Sequence, residues 1–233
     1  MSNKEQILSV LRDKGELKQK VFDNTFDTFS KLKIILTEIE KDFNSDLQET
    51  GSKVSLEYKN NGLFQCELRI AGDLLIFYMH TNVFEFDREH KIWTLPSVQQ
   101  DKYTSYCGII SIYNFLADSF KYQRNEDYGY LIARLFINKE KCYFVEGKQQ
   151  SGYLSNDFGK NVLTKELLRG IVEMAILYSQ KFDLLVPPYD SVKILNVAQV
   201  VESRKEGLQI GKRMGFSFNS DDISGEKLLY TGA

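Results

Sequence analysis

Between Phe22 and Leu47, apolar residues recur at steps of three and four: Phe22, Phe26, Phe29, Leu32, Leu36, Ile39, Phe43 and Leu47. Lys31, Lys33, Glu38, Glu40, Lys41 and Asp42 fill the other side. At 3.6 residues per turn this is a single stripe on a helix of about six turns or more, which Gly51 ends. Ahead of it, Ser2 and Glu5 have the spacing of a capping box. Ile7, Leu8, Val10 and Leu11 then form a short apolar face that Gly15 is expected to close.

The period changes after Gly51. Val54–Tyr58, Leu63–Ile70 and Leu74–His80 are short runs rich in β-branched and aromatic residues, separated by turn-forming Asn60-Asn61-Gly62 and Ala71-Gly72-Asp73. Val83–Phe86 and Lys91–Leu95 read as a further hairpin around Asp87–His90, closed by Pro96. The run Tyr106–Leu116 suits a strand or a buried helix, and its Ile-Ile-Ser-Ile-Tyr content favours a strand. Gly129–Ile137 and Lys141–Glu146 form a hairpin around Asn138-Lys139-Glu140. Helical spacing returns with Thr164 as N-cap and Leu167, Ile171, Met174, Tyr178 and Phe182 along one face. Pro187-Pro188 breaks the chain before a helix expected over Val192–Val201, and residues 208–233 read as a loosely held tail. Helix, strands, helices in that order define an α+β domain over residues 1–207. Its sheet is mainly antiparallel, with about six or seven strands, covered by the long N-terminal helix and the C-terminal helices.

Composition narrows the function. The 233 residues are 42% hydrophobic, enough for a substantial core and against wholesale disorder. Thirty basic against 32 acidic side chains give a net charge of −2, so no bulk field attracts phosphate backbone. Three Cys without CxxC spacing exclude a disulfide framework or a zinc ribbon and point to a reducing, cytoplasmic setting. No apolar run reaches the length of a membrane span, and charges throughout Met1–Gly15 argue against a signal peptide.

Four constellations carry candidate chemistry. Asp127 precedes one strand and Glu146-Gly147-Lys148 ends the next. With a helix following from Thr164, this resembles the PD-(D/E)xK nucleases. The resemblance implies Asp127 and Glu146 as magnesium ligands and Lys148 as the group that steadies water or phosphate. It departs from that pattern in having no Pro before Asp127 and in placing Glu146 at the strand end. Cys107-Gly108, with Gln100 upstream, resembles the opening of several papain-like cysteine proteases. The two histidines, His80 and His90, both lie upstream on the strand meander, and a simply buried Cys107 is the expected reading. No GxGxxG, no GxxxxGK[ST] and no zinc-ligand spacing occurs, so no cofactor is expected.

The other two constellations concern partners. Phe115, Phe120, Tyr122, Tyr128, Tyr130, Tyr143 and Tyr153 interleave with Lys121, Arg124, Arg134, Lys141 and Lys148, a pattern suited to stacking bases or to docking a protein. Phe22, Phe29, Leu36 and Phe43 fall seven apart, which suits a dimer through the Phe22–Leu47 helix, although covering its own sheet is the expected use. The sequence therefore favours a non-catalytic protein-binding module, an adaptor or chaperone-like subunit. Its interface is expected on the hairpins around Tyr128–Tyr153 and in Gly207–Ala233, with Tyr130, Arg134 and Tyr143 as hot spots. The element order is loosely similar to small chaperone-like domains that grip extended segments. The nuclease and single-stranded nucleic-acid binding are the alternatives.

Overall fold

A computed structural model describes residues 2–125, 127–147, 158–159, 161–181, 183–184, 186, 188–197, 200 and 218–219. The chain opens with α1 (Asn3–Val10), capped as expected: Ser2 Oγ accepts from Glu5 N–H at 3.3 Å, and the Glu5 carboxylate accepts from Ser2 N–H at 2.8 Å. Gly15 does not end this helix. A π-helical stretch, Leu11–Gly15, leads directly into α2 (Glu16–Glu49). A glycine terminates a helix by turning left-handed. Gly51 does so at φ +71°, whereas Gly15 keeps a helical φ of −68°.

The strands are β1 (Leu56–Asn60), β2 (Gln65–Ile70), β3 (Asp73–Met79) and β4 (Phe84–Glu85), followed by α3 (Pro96–Gln100) and β5 (Tyr106–Leu116). Next come α4 (Ala117–Lys121), β6 (Tyr130–Asn138), β7 (Tyr143–Gly147) and α5 (Lys165–Ser179). Seven strands make one antiparallel sheet in the order β1-β2-β3-β5-β6-β7, with β4 paired to the start of β5. After α5, β8 (Asp183–Leu184) pairs with β9 (Phe218–Asn219), and a short α6 (Tyr189–Val192) lies between them. That turn covers only the start of the helix expected from Asp190 through Val192–Val201: residues 193–196 are not helical, and the rest of the span falls partly outside the described residues. Most of the expected tail, 208–233, lies outside them as well. Among the described residues no helix is long and apolar enough to cross a membrane.

One face of the sheet, the inner face, receives both long helices. Phe29, Leu32, Ile35, Leu36 and Ile39 of α2 and Leu168, Ile171 and Val172 of α5 are buried against Leu68, Phe77, Ile110, Leu135 and Val145. Phe22, Phe26, Phe43 and Leu47 flank the same core. The heptad-like stripe thus covers the chain's own sheet and is not left for a second copy. Close approach of α2 to β5 depends on Gly108. A Cβ there would stand 2.1 Å from Thr25 Oγ1 and 2.8 Å from Thr25 Cβ. Asn24 secures the same level by donating to the carbonyls of Asn138 (3.1 Å) and Lys139 (2.8 Å) in the β6–β7 turn. Within that turn the fully buried Asn138 accepts from Glu140 N–H and Cys142 N–H and donates to Phe158 O.

The hairpin expected over Val83–Leu95 does not form. Lys91–Thr94 is a 3-10 turn and Pro96 starts α3. His90 Nδ1 accepts from Ile92 N–H at 3.2 Å, and the Trp93 indole donates to Asp87 O at 2.7 Å, which coils the segment back on itself. Proline at a first helical position is preorganised for a helix, so Pro96 opens an element here and does not close one. The folded-back segment lays Ile92 and Val98 over Phe136 and Cys107 on the second, outer face of the sheet, where they are joined by Phe158.

Gly108→Ala is expected to destabilise the fold by about 1–3 kcal/mol through overpacking. Adding Thr25→Ala recovers part of that loss, a non-additivity that denaturant titration of the three variants measures.

Candidate functional site

The register of the ladders lines up side chains on the outer face in rows across the strands. Gln65 pairs with Tyr78, Tyr78 with Ser111, Ser111 with Arg134, and Arg134 with Glu146, giving one row over β2, β3, β5, β6 and β7. The next row is Lys59, Glu67, Ile76, Tyr113 and Leu131. A bulge at Ile112/Tyr113 inserts Ile132 into β6 and keeps Leu131 beside Tyr113. A third row holds Glu57, Arg69, Leu74 and Phe115, and Phe120 of α4 packs edge-on to Phe115 at 5.3 Å.

Charge on this face is matched locally. Lys59 sits 3.3 Å from Glu67, Arg69 3.8 Å from Glu57, and Arg134 donates through Nε to Glu146 at 2.7 Å and through a second guanidinium nitrogen. The Arg134 guanidinium also lies over the Phe136 ring at 5.3 Å. Between the pairs stand apolar and aromatic groups that remain accessible: Tyr78 is 39% exposed, Leu131 38% and Phe120 50%.

The residues singled out from sequence are dispersed over this framework. Arg134 is on the outer face and 40% exposed, bound to Glu146. Tyr130 opposes Asn114 and is half-buried. Tyr143 points the other way: it alternates with Phe144, lies in the inner-face core and is 1% exposed. Burial there also holds its phenol above the ordinary range. Lys148, Tyr153 and, of the expected C-terminal interface, residues 207–217 and 220–233 lie outside the described residues.

The two candidate metal carboxylates are not brought together. Glu146 faces Arg134, while Asp127 accepts a hydrogen bond from Ser119 Oγ in α4, at the end of the sheet where β5 finishes. The stretch of β6 from Tyr130 to Arg134 alone spans about 13 Å, and Asp127 precedes Tyr130. Among the described residues no group of three His, Cys, Asp or Glu side chains has an arrangement able to hold a metal ion.

Cys107 lies in the outer-face cluster with Phe136 and Phe158, and burial pushes its thiol up to about 12, as it does for Cys66. A thiol so placed is not ionised at neutral pH and lacks the thiolate that nucleophilic attack requires. His80 and His90 each accept a backbone N–H through Nδ1, from Asn82 and Ile92; His80 meets Phe84 edge-on and His90 stacks on Phe86. Both imidazoles are thus engaged in shaping local turns.

Register, and not local pattern, makes the outer-face set visible. Leu74 to Met79 reads as an unbroken apolar run, so nothing in it singles out Tyr78 or tells Ile76 from Phe77. Only the pairing of Tyr78 with Ser111, and of Ser111 with Arg134, assembles the row. No protein-family model, no curated protein and no solved structure matches this chain.

Asp73 marks the far end of the sheet. Its carboxylate accepts from Asn114 Nδ2 (3.0 Å) and Gln180 Nε2 (3.3 Å), tying the end of α5 to β3 and β5. Burial lifts its pKa above the ordinary carboxylate range, and the two neutral amide donors offset this only in part. A folded-state value above the unfolded one contributes stability that is complete at acid pH and lost as pH rises through the folded value. Asp73→Asn, which removes this titration, is therefore expected to gain stability relative to the parent as pH climbs from the acid range to neutrality. Urea titrations at a series of pH values follow that difference. Cys66, Cys107 and Cys142 are all buried, so a maleimide or disulfide reagent should label none of them in the native protein and all three after unfolding.

Proposed function

We propose that this chain is a non-catalytic protein-binding module, an adaptor or chaperone-like subunit that receives its partner on the outer face of the sheet. The observation that carries the reading is the pairing of charge there. Lys59, Arg69 and Arg134 each stand beside a carboxylate, so the described rows of this face offer no unbalanced cation to a phosphate backbone. What remains accessible is Tyr78, Leu131 and Phe120 with a neutralised arginine beside them. That combination of rings, aliphatic side chain and Arg is the composition of protein interfaces.

Tyr143 is a core residue and separates folding from binding in the test. Tyr143→Ala is expected to cost about 3–5 kcal/mol. Tyr78→Ala, Leu131→Ala and Arg134→Ala combined should leave the melting temperature nearly unchanged while abolishing recovery of the partner in a pull-down from the source cells. Unchanged recovery by that triple variant sinks the reading. Magnesium-dependent cleavage of DNA or RNA that Glu146→Gln removes would put the nuclease in its place. Oligonucleotide binding that falls steeply with salt would put single-strand recognition there.

A further inference from the structure

From Asn3 to Glu16 no side chain is buried, and Leu17 is the first residue of the helix to enter a core. Lys14 is the first to reach the sheet, its ammonium lying over the Tyr106 ring at 5.6 Å, so at 1.5 Å per residue about 16 Å of helix precedes that contact. Ile7, Leu8, Val10 and Leu11 are each at least half exposed on that stretch. In an unbroken α-helix Val10, seven residues before Leu17, would continue the stripe that Leu17 and Val21 bury. The π-helical stretch Leu11–Gly15 closes its turns over one more residue, and so rotates Ile7 and Val10 out of line with that stripe. The apolar face of α1 is thereby directed away from the chain's own sheet.

We propose that α1 pairs antiparallel with α1 of a second copy of this chain about a two-fold axis. The charge pattern selects this occupant and this direction. With the axis passing between Leu8 and Ser9, Glu5 of one copy meets Arg12 of the other and Ile7 meets Val10, each contact occurring twice by symmetry. A parallel, in-register pair would set every charge beside its own like. Four apolar side chains per copy bury much less than the roughly 1,200 Å² of a stable interface, so the association is reversible and concentration-dependent.

Sedimentation velocity of the full chain, from about 1 μM to about 1 mM, reads the equilibrium. The expected result is a monomer–dimer exchange that Leu8→Glu with Leu11→Glu shifts to monomer throughout. Arg12→Glu alone sets like charges against each other and weakens the dimer, whereas Arg12→Lys, which keeps the charge and leaves the Glu5 cap intact, retains it. Because none of these side chains is buried, melting temperatures stay within about 1 °C of the parent's. A monomer across the whole range overturns the proposal, as does a dimer indifferent to Arg12→Glu. A marked fall in the melting temperature of the Leu8, Leu11 variant also overturns it, since the chain itself would then be covering α1.

Discussion

The contact between α2 and β5 at Gly108 decides how the rest of the molecule is arranged. Thr25 lies where a side chain on residue 108 would have to be, so the helix is drawn onto the sheet at that level. Thr25 Oγ1 donates to Val21 O at 2.7 Å, which removes the polar cost of burying the hydroxyl there. Its neighbour Asn24 reaches the β6–β7 turn, and Asn138 organises that turn from within. Helix position, hairpin position and the register of the sheet are therefore linked through four positions with small polar or absent side chains: Gly108, Thr25, Asn24 and Asn138. The large apolar residues of α2 then fill the space this contact defines.

From that arrangement follows the asymmetry of the two faces. Both long helices pack on the inner face, and the residues of β6 and β7 that alternate toward it, Leu135, Ile137, Tyr143 and Val145, are buried there. Among the described residues, the outer face receives the folded-back segment that carries Ile92 and Val98, together with Phe158, at one end and Phe120 at the other. The rows between have their charges arranged in cross-strand pairs. Such pairs at partly exposed positions add little to stability, typically under about 1 kcal/mol each. Their consequence is the absence of net charge beside the exposed rings.

The order of elements, the stripe of α2, the Asn138 hairpin and the Thr164 cap were legible in the sequence because each rests on a local period or a local hydrogen bond. Thr164 Oγ1 accepts from Leu167 N–H, as its position before a helical run implies. Two readings failed where a local signal has two meanings. Gly15 is compatible with ending a helix and with passing through one, and only its backbone angle tells which. Pro96 likewise closes a strand or opens a helix, and the hydrogen bonds of His90 and Trp93 upstream choose the second. Tyr143 shows a different limit. Its burial depends on which face of β7 turns toward the inner-face core, which is a property of the assembled sheet, so an aromatic count over 128–153 could not separate it from exposed Tyr128.

Both edges of the sheet are occupied where the structure describes them, which bears on the proposed recognition through the face. An exposed edge strand invites a partner to add a strand through backbone hydrogen bonds. At β1 that route is filled by side chains of α2. Asn44 both accepts from Leu56 N–H and donates to Leu56 O, and Glu40 accepts from Tyr58 N–H at 2.9 Å. Lys33 holds the adjoining turn through Asn60, Gly62 and Leu63. At the start of β7, Tyr143 N–H donates to Asn161 O and Leu163 N–H to Lys141 O, so the chain leading into α5 occupies that edge. With backbone groups engaged at both places, the recognition proposed above would fall to side chains, and the accessible set is the one centred on Tyr78, Leu131 and Arg134. In that proposed mode a partner would be read by shape and apolar contact across three strands, with specificity that depends on sheet register and hence, through Gly108 and Thr25, on the seating of α2.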